Sequence, residues 1–149
     1  MNRFIFRFKS VLRFKEIIEE QKKRDFGTAL SHLRHEEKTL ENIEHAISDH
    51  EELTEQSGQG KICVRDLENK FHYARLLDSK KTSQTKIVMK AKDTLESKRT
   101  ELVESTKKKK IFERLQERDR EEYNKEVKKE EQKLNDESSI QRFNPPQKH

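Results

Sequence analysis

His32 and His35 stand three residues apart, a spacing that places two imidazoles on one helical face, and Glu36 adjoins them. Zinc needs three or four such ligands in one compact set, and no further histidine, cysteine or carboxylate completes it. The string His35-Glu36-Glu37-Lys38-Thr39 lacks the second histidine of a zinc-protease helix, and Gly58-Gln59-Gly60 lacks the lysine and spacing of a phosphate loop. Carboxylate pairs such as Glu121-Glu122 and Glu130-Glu131 read as solvated charge, because a helical chain this thin offers no concave, water-excluding pocket to tune them. The expectation is a protein that is not an enzyme, with no catalytic, cofactor-binding or metal-binding residues and no cofactor.

Other clusters point to binding. Lys107-Lys108-Lys109-Lys110 precedes Ile111-Phe112. Consecutive lysines on a helix spread around its circumference; they contact phosphates without sequence readout, or meet an acidic helix. The opening stretch from Arg3 to Lys15 mixes phenylalanines with basic residues and has no acids. It suits an anionic membrane interface or a targeting role, whereas Phe4, Phe8 and Val11 or Leu12 also fit helical spacing for docking or core use. Phe71-His72-Tyr73-Ala74-Arg75-Leu76-Leu77 is the richest apolar run in the second half. A seam needs only Phe71 and Ala74, with or without Leu67, which leaves Tyr73, Leu76 and Leu77 as surplus for a docking patch or a thicker, self-associated bundle.

The elements carrying these residues follow from composition. Of 149 residues, 42% are charged and 29% hydrophobic, with 3 Gly, 2 Pro and no Trp. An ordinary domain is about 25% charged and nearly half apolar, so a ball-like core, a doubly wound enzyme and a sandwich are excluded. Gly58 and Gly60 punctuate the middle of the chain, and Asn144-Pro145-Pro146 stops helix near its end. The spans between them predict a first helix over 1–56 with a basic start and an acidic body, a tight turn over 57–61, a second helix over 62–139 and a flexible tail over 140–149. At 1.5 Å per residue the helices measure about 80 and 115 Å. Cys63, the single cysteine, fits a reducing cytoplasm, and no apolar run approaches a membrane span.

Phe26, Leu33, Leu40 and Ile47 recur every seven residues, with Ala29 and Ile43 interleaved and Glu36 and His50 interrupting. Leu67, Ala74, Val88, Leu95 and Leu102 repeat the step, with Lys81 as a gap. Such stripes must be buried against another helix. Net charge is +5 over residues 1–15, −7 over 16–56, +8 over 61–114 and −1 over 115–149. An acidic helix, a turn and a basic helix predict an intramolecular antiparallel pair. The expected fold class is all-α: an elongated antiparallel two-helix coiled-coil hairpin with an overhanging second helix, folded about residue 59 so that residue 4 lies opposite roughly residue 114.

Phe6-Arg7-Phe8-Lys9-Ser10-Val11-Leu12-Arg13-Phe14-Lys15-Glu16, the central Gly58 and Gly60, Leu115-Gln116-Glu117-Arg118-Asp119, Tyr123, the stretch from Glu131 to Glu137 and Arg142-Phe143 occur in an order that resembles the FliJ family of the flagellar type III export apparatus. Lys15 departs from that pattern, where arginine is common before the glutamate. The resemblance implies a non-catalytic central shaft of the hexameric export ATPase that promotes its assembly or activity and contacts an export-gate membrane protein and export chaperones. It implies ATPase contacts near Val11, Leu12, Arg13, Leu115, Arg118, Asp119 and Glu122, and gate contacts at Ile43, Phe71, Tyr73, Leu76 and Leu77. The implied location is cytoplasmic, peripheral at the inner face of the membrane at the flagellar base. The competing reading is a basic coiled coil that binds nucleic acid without sequence specificity, or a membrane-surface structural protein.

Overall fold

The computed structural model describes residues 3–58, 60–61 and 63–143, apart from the Gln141 side chain. Two helices make up nearly all of it, α1 (Lys9–Ser57) and α2 (Val64–Phe143), and no described residue is in a strand. The chain is all-α, with paired helices as the seven-residue stripes require. The expected stop at Asn144-Pro145-Pro146 lies outside the described residues, and α2 runs to Phe143 rather than to 139. Two compact units result, one of residues 20–104 and one of residues 1–19 with 105–149.

In the unit of residues 20–104 the helices run antiparallel, as the partners show: Lys22 meets Glu101, Glu37 meets Lys92, Glu44 meets Lys81 and His50 meets Tyr73. Leu33, Val88 and Ala91 form the buried core, with Leu40 and Leu95 packed against it. The α2 seam is denser than the sevenfold series predicts. Leu77, Gln84 and Ala91 are buried between its members, giving the three–four alternation of a knobs-into-holes interface. The interruptions are filled by pairing: Gln84 Nε2 donates to the Glu36 carbonyl at 3.1 Å and to Glu36 Oε2 at 2.6 Å, and Lys81 reaches Glu44 at 3.2 Å.

The α1 end closes without a left-handed glycine. Gly58 has no positive φ; its N–H donates to the Glu55 carbonyl at 3.2 Å, a tightened last turn. The Thr54 and Ser57 hydroxyls donate back to the carbonyls of His50 and Leu53, both at 2.7 Å. α2 starts on the Cys63 carbonyl, which accepts from Asp66 and Leu67, and the Asp66 carboxylate complements the helix N-terminus.

In the unit of residues 1–19 and 105–149, helix begins at Lys9 and not near Arg3. Arg3 to Phe8 instead alternates, with Phe4, Phe6 and Phe8 wholly or partly buried and Arg3, Ile5 and Arg7 exposed. This period of two belongs to a non-helical opening, closed at Arg7 and Phe8 by a turn in which the Lys9 N–H donates to the Phe6 carbonyl at 3.3 Å, and it overrides the four-residue spacing of Phe4 and Phe8. Phe8 meets Phe112 at a ring separation of 6.2 Å, and Phe4 meets Tyr123 at 5.6 Å. Phe4 therefore lies opposite Tyr123 and not roughly residue 114. From Lys128 to Ile140 every residue of α2 is exposed.

Candidate partner-docking surfaces

The seam divides each helix into flanks. In the unit of residues 1–19 and 105–149, the row one position before the seam on α1, extended by threes and fours, carries Val11, Phe14 and Ile18. The matching row on α2 carries Lys108, Ile111, Leu115, Arg118 and Glu122. Val11, Phe14 and Ile111 are exposed, Phe14 by 59% and Ile111 by 64%, and Leu115 is half-buried. Arg118 stands 3.6 Å from Asp119 and 4.0 Å from Glu122, holding a cation at one end of this apolar strip. Such exposed pairs contribute only about 0–1 kcal/mol each, so a partner can exchange them at little cost.

Four of the residues implied as ATPase contacts, Val11, Leu115, Arg118 and Glu122, share this flank. Leu12 does not: it is buried toward α2 and serves packing. Arg13 is exposed off the row, and Asp119 turns partly into the seam. Phe14 and Ile111 lie outside the implied contact set; their signal in the sequence is the three–four row beside the seam.

The lysine run divides as helical geometry demands. Lys109 enters the seam and bonds Glu19 Oε2 at 2.7 Å, while Lys107, Lys108 and Lys110 face outward. The run therefore partly serves the meeting with the acidic first helix. The opening phenylalanines 4, 6 and 8 pack inward, which leaves Ile5, 81% exposed, as the apolar side chain available to a membrane from that non-helical segment.

In the unit of residues 20–104, the residues implied as gate contacts separate. Leu77 is 5% exposed and belongs to the seam, whereas Phe71 is 64% exposed. Their expected roles exchange because the seam steps through Lys70, Ala74 and Leu77, one residue away from Phe71. At 100° per residue Phe71 and Tyr73 fall on opposite flanks, and Leu76 stays with Tyr73. The Tyr73 ring packs 5.1 Å from the ring of His50. Ile43 is half-buried on the α1 seam. On its own side Phe71 joins Leu67, Ala74, His50 and Thr54 around a groove of about 290 Å³, edged by Glu51 and Lys70.

Charge in this unit is arranged for pairing. The Glu101 carboxyl is held below its ordinary value by hydrogen bonds from Lys22 and Lys98, and Lys22 is raised by its bond to Glu101. His32 lies 3.7 Å from Glu36, and among the described residues no three metal-ligating side chains converge. No helix of the described residues is long and apolar enough to cross a membrane.

Comparison with protein families gives a match to the model described as Flagellar FliJ protein over residues 4–148. Searches of the curated proteins and of the solved structures return no match.

Proposed function

Because the chain belongs to the flagellar FliJ protein family, a family of non-catalytic coiled-coil components of flagellar export, we propose that it binds the hexameric export ATPase as a central shaft. In this role it promotes assembly or activity of the ring, while ATP hydrolysis stays with the partner and the chain itself uses no cofactor. The observation that carries the reading is the exposed strip of Val11, Phe14 and Ile111 with Arg118 at its end. Apolar contact there supplies affinity, and weak exchangeable ion pairs let the shaft shift between subunits of a ring.

The gate contact falls to Tyr73 and Leu76, with Phe71 on the other flank as a second point of attachment. Ile43 and Leu77 act beneath, by shaping the helices that present them. Export chaperones are further partners, and the site of action is the cytoplasmic face of the membrane, peripherally attached at the flagellar base.

The test is ATP hydrolysis by the export ATPase of the same organism, titrated with this protein. Saturable stimulation near one chain per hexamer is expected, with Phe14→Ala and Arg118→Glu weakening it while circular dichroism stays unchanged. No stimulation by the folded chain overturns the shaft reading.

A further inference from the structure

The two flanks of the unit of residues 20–104 differ in charge far more than the composition requires. On the Glu37–Lys92 side, the rows beside the seam carry Glu44, Glu51, Asp78 and Arg99. The other side has a shallow groove of about 580 Å³, lined among others by Thr28 and His32 of α1 and Ile87 and Thr94 of α2. Extended by threes and fours toward the ends of the paired helices, these rows carry Thr39, Ala46 and Leu53 on α1 and Tyr73, Leu76 and Ser83 on α2. Leu53, Tyr73, Leu76 and Ile87 are all exposed there. The charges in these rows between residues 25 and 53 and between 73 and 97 are Asp25 and Asp49 on α1 and Lys80 and Lys90 on α2.

We propose that this low-charge flank is a self-association surface, which pairs two copies of the chain into a parallel four-helix arrangement about a two-fold axis along the helices. Three observations select a second copy. The α1 row is acidic and the α2 row basic, and a two-fold axis parallel to the helices lays each α1 over the partner's α2, so the surface is complementary to itself. Reversing the partner end to end would set acid on acid. The area also suffices: a face roughly 40 Å long and about 20 Å wide offers about 800 Å² per copy, the half-interface of a standard stable complex. Small side chains at Thr28, Ala29, Ala91 and Thr94 let a further helix approach closely at the groove, while Leu53, Tyr73 and Leu76 from both copies gather at one end.

This inference stands apart from the shaft reading and restricts the gate reading, since Tyr73 and Leu76 cannot serve a second copy and a gate at once. Self-association would hold the free chain in reserve until another partner takes that flank.

The experiment uses the full chain without partners. In sedimentation equilibrium the mass should rise from near 18.0 kDa toward twice that value with increasing concentration. Leu76→Glu combined with Ile87→Glu should return it to the monomer with unchanged helicity. As a second arm independent of folding effects, Ile87→Cys in a Cys63→Ser background places a thiol near the axis and should form an intermolecular disulfide on mild oxidation. Met89→Cys in the same background, exposed on the other side, should not. A monomer mass at 100 µM, or equal crosslinking from both positions, overturns the proposal.

Discussion

Glu19 and Lys109 form an ion pair inside the helix interface, Oε2 to Nζ at 2.7 Å, with the glutamate only 5% exposed. Thr106 adds a hydroxyl donor to Oε1 at 2.9 Å. The bond to Glu19 raises the Lys109 pKa against the opposing effect of burial. A charge so placed is tolerated because its partners come with it, and taking one partner away leaves the other stranded.

Glu19→Ala should therefore destabilise the protein by about 2 kcal/mol, and Glu19→Ala with Lys109→Met should recover most of that loss. Urea unfolding of the two single variants and the double variant measures it. Additive losses in the double variant would show that the two side chains act independently.

Phe6 is 4% exposed and pins the non-helical opening segment. Phe6→Ala should cost about 3 kcal/mol of local or global stability. Trypsin cleavage at Arg7 and Lys9 should then accelerate by at least tenfold. The same truncation at Ile5, which lies in solvent, should leave the cleavage rate unchanged.

Gly27 sits inside α1 with a helical backbone, and an added Cβ there would meet nothing within 4 Å. Gly27→Ala should raise stability by about 0.5–1 kcal/mol through the smaller entropy of the unfolded chain. An unchanged or lower melting temperature would contradict this.

Glu101 and Glu41 both have carboxyl pKa values depressed below the ordinary 4.5 by neighbouring lysines. Their contribution is complete above that value and is lost as pH falls through the lower folded-state values. Lys22, raised above 10.5, contributes fully below it and loses its share as pH climbs through the raised value. The melting temperature should be flat near neutrality and drop below pH 4. Glu101→Gln should lower it at pH 7 and reduce the acid drop; an equally steep drop in that variant would point to other carboxylates.

Leu76→Ala should impair binding to the export gate with little loss of melting temperature, because the side chain is exposed. Leu77→Ala should cost about 2–4 kcal/mol and reduce all binding through stability. Pull-down with the purified gate domain and thermal unfolding separate the two; equal effects would remove Leu76 from the gate surface.

Much of this architecture is legible in the residues. Leu33, Leu40, Val88 and Leu95 recur by sevens, and the charge contrast of the two halves fixes their antiparallel pairing. The second seam series was less visible because Gln84, Lys98 and Ser105 occupy it, and polar side chains carry no hydrophobic signal until their partners across the interface are known. Phe4 and Phe8 fit helical spacing as well as alternation, and their contacts with Tyr123 and Phe112 accompany a non-helical opening. Of the candidate surfaces, the apolar run around Tyr73 and Leu76 was legible in the residues, whereas Val11, Leu115 and Arg118 were implied by the family resemblance alone. The flank each occupies was not legible, since one residue's shift in the seam moved Phe71 outward and Leu77 inward.

The polar layers of the interface also act as an alignment key. A seven-residue slip of α2 preserves most leucine contacts, which makes the apolar stripe alone a poor ruler. The same slip sets Glu36 against Ala91 or Leu77 in place of Gln84, and Glu19 against Gln116 or Leu102 in place of Lys109. Three of these four mismatches set a carboxylate against an apolar side chain, so the helices resist sliding lengthwise where a purely apolar pair would be free to creep.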